Sequence, residues 1–255
     1  MPAVSAPASQ LRALAGAVSF LTRVPVGRRL ALDGADVARG ALLFPVVGAG
    51  IGAAVGLAAV LLDEPLPALP AAALALALGL LLTGAIHLDG LADTADALGG
   101  RSRAEALSIM RDHAVGTYGV AALIVDLLVK ATLIAALLDG EDAFLALVAA
   151  AALARAAPLP LAYLLPYARE DVGPGGVLGG RLSFWSVAGA VAVATALAIA
   201  LLGVRGVWMF AAAALLALLL GAGFRRWLRG VTGDALGATT ELCDTLALLV
   251  AVATL

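Results

Sequence analysis

The 255-residue chain is 63% hydrophobic and 13% charged, and its mean hydropathy is +1.05. This balance excludes an ordinary soluble globular domain and indicates a polytopic membrane protein. The net charge of −2 gives no sign of a nucleic-acid partner, and the single Cys243 excludes an intrachain disulfide. We expect one all-α integral-membrane domain over residues 1–255, folded as a helical bundle in a lipid bilayer.

Apolar stretches along the chain predict the helices. Residues 1–22 are expected to form an interfacial helix, because their apolar part is too short to span a bilayer. Downstream, stretches that are long enough to span, or nearly so, predict six or seven transmembrane helices. They cover roughly residues 45–62, 70–87, 118–138, 143–165, 184–203 and 207–224, with a shorter stretch at 245–255.

Basic residues concentrate in alternate loops. If successive helices alternate in direction, most of the 16 Lys and Arg residues fall on one side of the membrane, in residues 23–44, 88–117, 166–183 and 225–244. The positive-inside rule places that side in the cytoplasm. We therefore expect a multi-pass protein of the cytoplasmic (inner) membrane, with its candidate chemical motifs facing the cytoplasm.

Three carboxylates stand at the end of the second apolar stretch, in the run HLDGLADTAD. At 100° per residue, Asp89, Asp93 and Asp96 fall within an arc of about 60° on one helical face. Mg²⁺ takes oxygen ligands and usually binds through a few carboxylates plus substrate phosphates. The run therefore predicts a metal-binding diphosphate site, and a solvated acidic helix end is the alternative interpretation.

The loop after this run carries Arg101, Arg111 and Asp112. An arginine suits phosphate because its planar guanidinium donates two parallel hydrogen bonds, although basic residues here also follow from the orientation rule. His87 and His113 are candidate general bases near neutral pH. On an uninterrupted helix, however, His87 points about 160° away from the carboxylate arc.

The later spans also carry charges. Asp126 and Lys130 are four residues apart and are expected to neutralise each other, whereas Arg155 is expected to pair with another helix. Before the last apolar stretch, Asp234 and Glu241 share a helical face. This segment predicts a second acidic helix at the same cytoplasmic cavity; an interfacial helix with solvated acids is the alternative.

The run HLDGLADTADALGG, followed by IMRD, resembles the membrane-bound cobalamin (5′-phosphate) synthases, also called adenosylcobinamide-GDP ribazoletransferases. The resemblance extends to FLTRVPV, FPVVG, GTYG, Gly233-Asp234 and Glu241. It implies transfer of the adenosylcobinamide phosphoryl group from its GDP-activated form to a ribose hydroxyl of α-ribazole or its 5′-phosphate. GMP would be released, with Mg²⁺ as cofactor, in nucleotide-loop assembly of cobalamin.

The resemblance also implies a role for each candidate residue. The predicted metal ligands are Asp89, Asp93 and Asp96, with Asp234 and Glu241 for a second metal. The predicted catalytic residues are His87, Asp89, Asp93 and Arg111, in which Arg111 neutralises phosphate and an Asp or His87 accepts the hydroxyl proton. The predicted substrate-binding residues are Arg23, Arg101 and Asp112.

Other functions remain as alternatives. The CDP-alcohol phosphotransferases and the prenyl-diphosphate aromatic transferases also use spaced Asp residues, but this chain lacks the second Asp pair of the former and the Asn of the latter. A cation-coupled transporter is a further alternative, although such sites usually lie near the membrane midplane within an internal repeat. A homo-oligomer, or association with other nucleotide-loop enzymes, is compatible with the resemblance.

Overall fold

A computed structural model describes residues 6–26, 30–112, 114–169, 178 and 180–255. Within these ranges the chain forms α-helices, one 3₁₀ turn at Ala41–Leu43 and no β-strand. The helices are α1 (Ala6–Leu21), α2 (Gly34–Gly40), α3 (Phe44–Asp63), α4 (Ala68–Thr83), α5 (Ile86–Ala97), α6 (Arg103–Ile109), α7 (Thr117–Leu138), α8 (Ala143–Ala156), α9 (Pro158–Leu164), α10 (Phe184–Leu202), α11 (Val204–Trp227) and α12 (Gly233–Ala253).

Six segments of the described chain are long and apolar enough to cross a bilayer. They are Gly34–Asp63, which joins α2 to α3, then α7, Ala143–Leu164, which joins α8 to α9, and α10, α11 and α12. A seventh candidate is the pair of α4 and α5, which are bent by 92° relative to each other. The predicted all-α membrane bundle of six or seven spans is confirmed.

The break between α4 and α5 corrects the predicted second span. The apolar stretch at 70–87 is not one helix, because α4 ends at Thr83 and α5 begins at Ile86. Gly84 and Ala85 between them have φ angles of +66° and +56°. Glycine adopts this left-handed conformation readily and so ends helices, which is what Gly84 does here. The acidic run therefore has a helix of its own.

The last span also differs from its prediction. Residues 233–253 form one continuous helix, so the apolar stretch at 245–255 is not a separate short span. Thr232 caps this helix by accepting a hydrogen bond from the Ala235 N–H. Asp234 consequently lies in the first turn of a spanning helix, and Glu241 lies two turns deeper. The interpretation of this segment as an interfacial helix is wrong.

Small residues allow the spans to pack closely. Of the six candidate spans, the one formed by α8 and α9 is the most deeply buried in the bundle. Its Ala146, Ala149 and Ala150 side chains are almost fully buried, and α3, α10 and α12 pack around it. Because lipid supplies no hydrophobic force between helices, close packing of small residues stabilises such a bundle.

Helix α1 is attached to the start of the first span. The Asp36 carboxylate is fully buried and accepts hydrogen bonds from Arg12, at 3.1 and 2.5 Å, and from Arg39. Asp36 also completes a capping box with Asp33 at the start of α2. These charge-assisted bonds hold α1 against α2. The predicted interfacial position of α1 stays a prediction.

Candidate active site

The segments that follow α5, α9 and α11 meet at one end of the bundle. The Arg103 guanidinium donates to the carbonyl oxygens of Leu228, at 2.7 Å, and Ala168, at 2.8 Å. The Ala168 N–H donates to the Val231 carbonyl at 2.8 Å, so the chain after α9 pairs with the chain before α12. The predicted grouping of these three basic segments on one side is confirmed.

Helix α5 is in backbone contact with the first turns of α12. A Cβ atom placed on Gly90 would stand 2.7 Å from the Asp234 carbonyl oxygen and 3.2 Å from the Cα of Gly237. A Cβ on Gly237 would stand 3.4 Å from the Cα of His87. Since real Cβ atoms do not approach backbone at 2.7 Å, Gly90 is required for this contact. The contact brings the two acidic segments together.

The carboxylates of Asp89, Asp93 and Asp234 share one site at this end of the bundle. Asp93 is half-buried, and the like charges that act on it most are those of Asp234 and Asp89. Asp89 is exposed and also interacts with the charge of Asp234. Arg169 donates to the Asp234 Oδ2 at 2.6 Å and offsets part of this negative charge. The predicted meeting of the two acidic segments is therefore confirmed for these three residues.

Asp96 has a structural role that its spacing did not reveal. Its two carboxylate oxygens accept hydrogen bonds from the N–H groups of Gly116, at 2.6 Å, and Gly119, at 2.8 Å. These groups belong to the N-terminus of α7, where unpaired N–H groups and the helix dipole favour a carboxylate. Asp96 thus caps α7 from another helix. Its role as a metal ligand stays a prediction.

The donor set suits Mg²⁺ when the substrate completes it. Across the described ranges, no group of three or more His, Cys, Asp or Glu side chains is placed so that it could hold a metal ion by itself. Mg²⁺ does not need one, because it usually binds through one or two carboxylates together with water and substrate phosphates. Asp89, Asp93 and Asp234 supply oxygen donors of this kind, and their mutual repulsion favours a bound cation.

The predicted substrate-binding residues lie around the same end. Arg23 is exposed and lies against the α4–α5 break, since a Cβ on Gly84 would overlap the Arg23 side chain. Arg101, Arg111 and Asp112 are exposed on either side of α6, and Asp112 accepts a hydrogen bond from the Ala114 N–H at 3.1 Å. Contact of these residues with substrate stays a prediction. His113 lies outside the described residues. So does most of the glycine-rich segment 169–181, namely residues 170–177 and 179.

Glu241 belongs to a charged network inside the bundle. Lys130 forms ion pairs with Glu241 and, at 3.1 Å, with Asp126. Arg155 pairs with Asp244 at 3.4 Å. The predicted Asp126–Lys130 pair and the predicted interhelix partner of Arg155 are therefore confirmed. Glu241 already has a cation beside it, and its role as a second-metal ligand stays a prediction.

His87 lies on the side of α5 that faces this network. It is 8% exposed, and the charges that act on it most are those of Arg155, Asp244 and Lys130. Its Nδ1 atom is buried without a hydrogen-bond partner in the described part of the chain. A cavity of about 60 Å³, lined by Lys130, Arg155, Glu241 and Asp244, has room for several water molecules. His87 as a general base stays a prediction.

Removal of the network's central cation tests its contribution to stability. We expect Lys130→Met to destabilise the protein by about 3–5 kcal/mol, because Glu241 and Asp126 would lose the buried cation that pairs with both. Thermal unfolding in detergent measures the change. Adding Glu241→Gln to the Lys130→Met variant should restore part of the stability, and a Lys130→Met variant as stable as wild type would contradict the pairing.

Sequence reasoning missed Arg169 as a site residue. Arg169 is the first residue of the glycine-rich segment 169–181, whose glycines indicate either a loop with backbone N–H groups close to phosphate or a flexible connector. Its partner Asp234 is 65 residues further along the chain, and its second acceptor, the Met110 carbonyl, is 59 residues before it. No local pattern links residues at such separations. The sequence signal that could have identified Arg169 was its position as an arginine on the basic side of the membrane.

The sequence of the chain is similar to those of known proteins over most of its length. The family model described as cobalamin-5-phosphate synthase matches residues 13–252. A relative from Klebsiella pneumoniae subsp. pneumoniae, named adenosylcobinamide-GDP ribazoletransferase, is 42% identical over 246 residues, which is 94% of this chain and 98% of the relative. A relative of the same name from Escherichia coli K12 is 39% identical over 237 residues, which is 91% of this chain and 96% of the relative.

No solved structure matches the chain significantly. The family match covers the acidic helix α5, the first turns of α12 and every predicted site residue. The chain therefore belongs to the cobalamin-5-phosphate synthase family.

Proposed function

We propose that this chain joins adenosylcobinamide-GDP to α-ribazole or its 5′-phosphate and releases GMP, completing the nucleotide loop of cobalamin. The observation that carries the proposal is the packing of α5 on α12, which gathers Asp89, Asp93 and Asp234 at one end of a membrane bundle. The relatives' name describes a transferase with these substrates. The gathered acids and the relatives' name together favour the ribazoletransferase reaction over the reactions of CDP-alcohol or prenyl transferases and over transport.

The reaction replaces one phosphate–oxygen bond by another. A ribose hydroxyl oxygen attacks the cobinamide-linked phosphorus, the anhydride bond to GMP breaks, and the hydroxyl proton is lost to a base. An aspartate of the α5 site is the better-placed base, because His87 faces the buried network rather than these acids. Arg111 and Arg23 are proposed to bind phosphate oxygens, as guanidinium groups do in bidentate pairs. Arg101 and Asp112 are proposed as further substrate contacts.

We propose Mg²⁺ as the cofactor, held by Asp89, Asp93 and Asp234 together with the diphosphate. When bound, the cation would neutralise the charge that develops on the departing GMP. The carboxylates come from two helices that are in backbone contact at Gly90. Among the described residues, the Arg169 guanidinium pairs with Asp234 and offsets only part of the charge of the three carboxylates, which supports binding of a divalent cation here.

The proposed location is the cytoplasmic (inner) membrane, with the site facing the cytoplasm. The bias of basic residues towards the loops around the site supports this orientation. The acidic residues come together within one copy of the chain. Assembly of the site therefore does not require a homo-oligomer or a complex with other nucleotide-loop enzymes.

GMP release in detergent tests the proposal. Purified protein would receive adenosylcobinamide-GDP and α-ribazole 5′-phosphate, with Mg²⁺ in one reaction and EDTA in the other. We expect GMP in the first and none in the second, because the acids alone repel the diphosphate. GMP release that is insensitive to EDTA would exclude the metal-dependent mechanism. No release from folded protein, combined with substrate uptake into vesicles, would favour a transporter.

A further inference from the structure

Arg169 is a buried cation inside the acidic site. Its Nη2 donates to the Asp234 carboxylate at 2.6 Å and to the Met110 carbonyl at 3.2 Å. Its side chain is only 12% exposed, and its Nε is buried without a hydrogen-bond partner in the described ranges. The guanidinium therefore has donor capacity that no described protein group uses.

The charge of Arg169 acts on two carboxylates of the site. Its charge acts on Asp93 as well as on Asp234, and it opposes the repulsion that Asp234 and Asp89 exert on Asp93. A cation that occupies Asp234 in this way competes with any metal ion for the same oxygen atoms. An arginine is also the side chain best suited to bind two phosphate oxygens at once.

We propose that Arg169 exchanges partners during substrate binding. It neutralises Asp234 while no metal ion is bound, and it binds the diphosphate of the substrate when a divalent cation takes its place on Asp234. This inference rests on the metal-dependent function proposed above. It deepens that function by assigning a phosphate-binding residue that also controls when the cation binds.

This exchange of partners couples binding of the divalent cation to binding of the diphosphate. A cation that binds alone would displace Arg169 from Asp234 and leave a buried guanidinium without a counterion, which is strongly unfavourable. A diphosphate that arrives with the cation supplies that counterion. Each ligand should therefore strengthen the binding of the other, and by linkage the two effects must be equal.

Mn²⁺ binding measures this coupling without turnover. The free Mn²⁺ concentration would be followed by electron paramagnetic resonance in detergent, with and without adenosylcobinamide-GDP and in the absence of α-ribazole. For wild type, we expect the substrate to lower the Mn²⁺ Kd by about tenfold, within the usual range of coupling between sites. In Arg169→Gln, we expect tighter Mn²⁺ binding without substrate and a substrate effect well below tenfold, the remainder coming from direct ligation of Mn²⁺ by the diphosphate.

Two further variants separate the proposed role from a structural one. Arg169→Lys keeps a charge near Asp234 but lacks the planar fork, so it should keep the weak Mn²⁺ binding of wild type and lose most of the substrate effect. Arg103→Gln is expected to loosen the same segment, because Arg103 donates to the Ala168 carbonyl, but Arg103 is not a partner in the Arg169–Asp234 pair. This variant should lower thermal stability and leave the coupling unchanged.

The outcomes are distinguishable from failure of the proposed function. Wild-type coupling in Arg169→Gln, or equal loss of coupling in Arg103→Gln, would overturn the role of Arg169 while metal-dependent GMP release in wild type stood. Wild-type protein that releases GMP in EDTA and binds no Mn²⁺ would overturn both the metal-dependent mechanism and this inference.

Discussion

We expect the Asp93→Asn variant to release GMP from adenosylcobinamide-GDP at a rate about 100-fold or more below that of wild type. The amide has nearly the same size as the carboxylate but lacks its charge. The charge of Asp93 interacts with those of Asp234 and Asp89, and in the proposed mechanism it helps to hold a cation against the diphosphate. Loss of one charged group that acts on the transition state usually reduces the rate by this order. GMP formation under saturating Mg²⁺ measures the effect.

Stability distinguishes a catalytic Asp93 from a structural one. Because its neighbours are like charges, removing the Asp93 charge relieves repulsion and should leave the melting temperature in detergent equal to wild type or higher. Asp139→Asn is the matched control, since Asp139 is an exposed acid in the connection between α7 and α8; it should change neither rate nor stability. A wild-type rate for Asp93→Asn would remove Asp93 from the site, and a lower melting temperature would give it a structural role.

The spans were predictable because they depend on local composition. Apolar stretches of sufficient length specify most of the transmembrane helices, and the basic loops specify which segments lie on one side. The α4–α5 break was not predictable in this way, since apolar residues continue through Gly84 and Ala85 to Ile86. A single glycine with positive φ, rather than a change in hydropathy, ends α4.

The full length of the last span was not predicted, for a different reason. The acids Glu241 and Asp244 lower its local hydropathy, but Lys130 and Arg155 on other helices are their partners. A charge that is paired within the bundle does not prevent a helix from spanning, and the pairing is invisible in a window of neighbouring residues.

The grouping of the acids was predictable from their spacing, but the different contacts that each acid makes were not. Three acids at helical spacing indicate a shared face, and this spacing treats Asp89, Asp93 and Asp96 as equivalent. Only the contact with α7 distinguishes Asp96, whose oxygens bind the N–H groups of Gly116 and Gly119. Arg169 shows the same limit, because its place beside Asp234 depends on how distant segments fold together.

Substitution of Gly90 by alanine is the second change from which we expect a large effect. The added Cβ would meet the Asp234 carbonyl oxygen at 2.7 Å, and since both partners are helix backbone, α5 and α12 must move apart. Overpacking of this kind destabilises by about 1–3 kcal/mol. The same movement separates Asp93 from Asp234, and misplacement of catalytic groups by about 1 Å can reduce a rate about 100-fold. We therefore expect both a lower melting temperature and a rate of GMP release reduced by about that factor.

Gly223→Ala provides the matched control for this prediction. Gly223 lies in α11, and a Cβ there would meet no atom within 4 Å. Because alanine favours a helix over glycine by about 1 kcal/mol, this variant should be as stable as wild type or more so, with an unchanged rate. The two identical substitutions thus have opposite expected effects on stability, which depend only on what each new methyl group meets. Wild-type activity in Gly90→Ala would show that α5 and α12 do not hold the acids together through this contact.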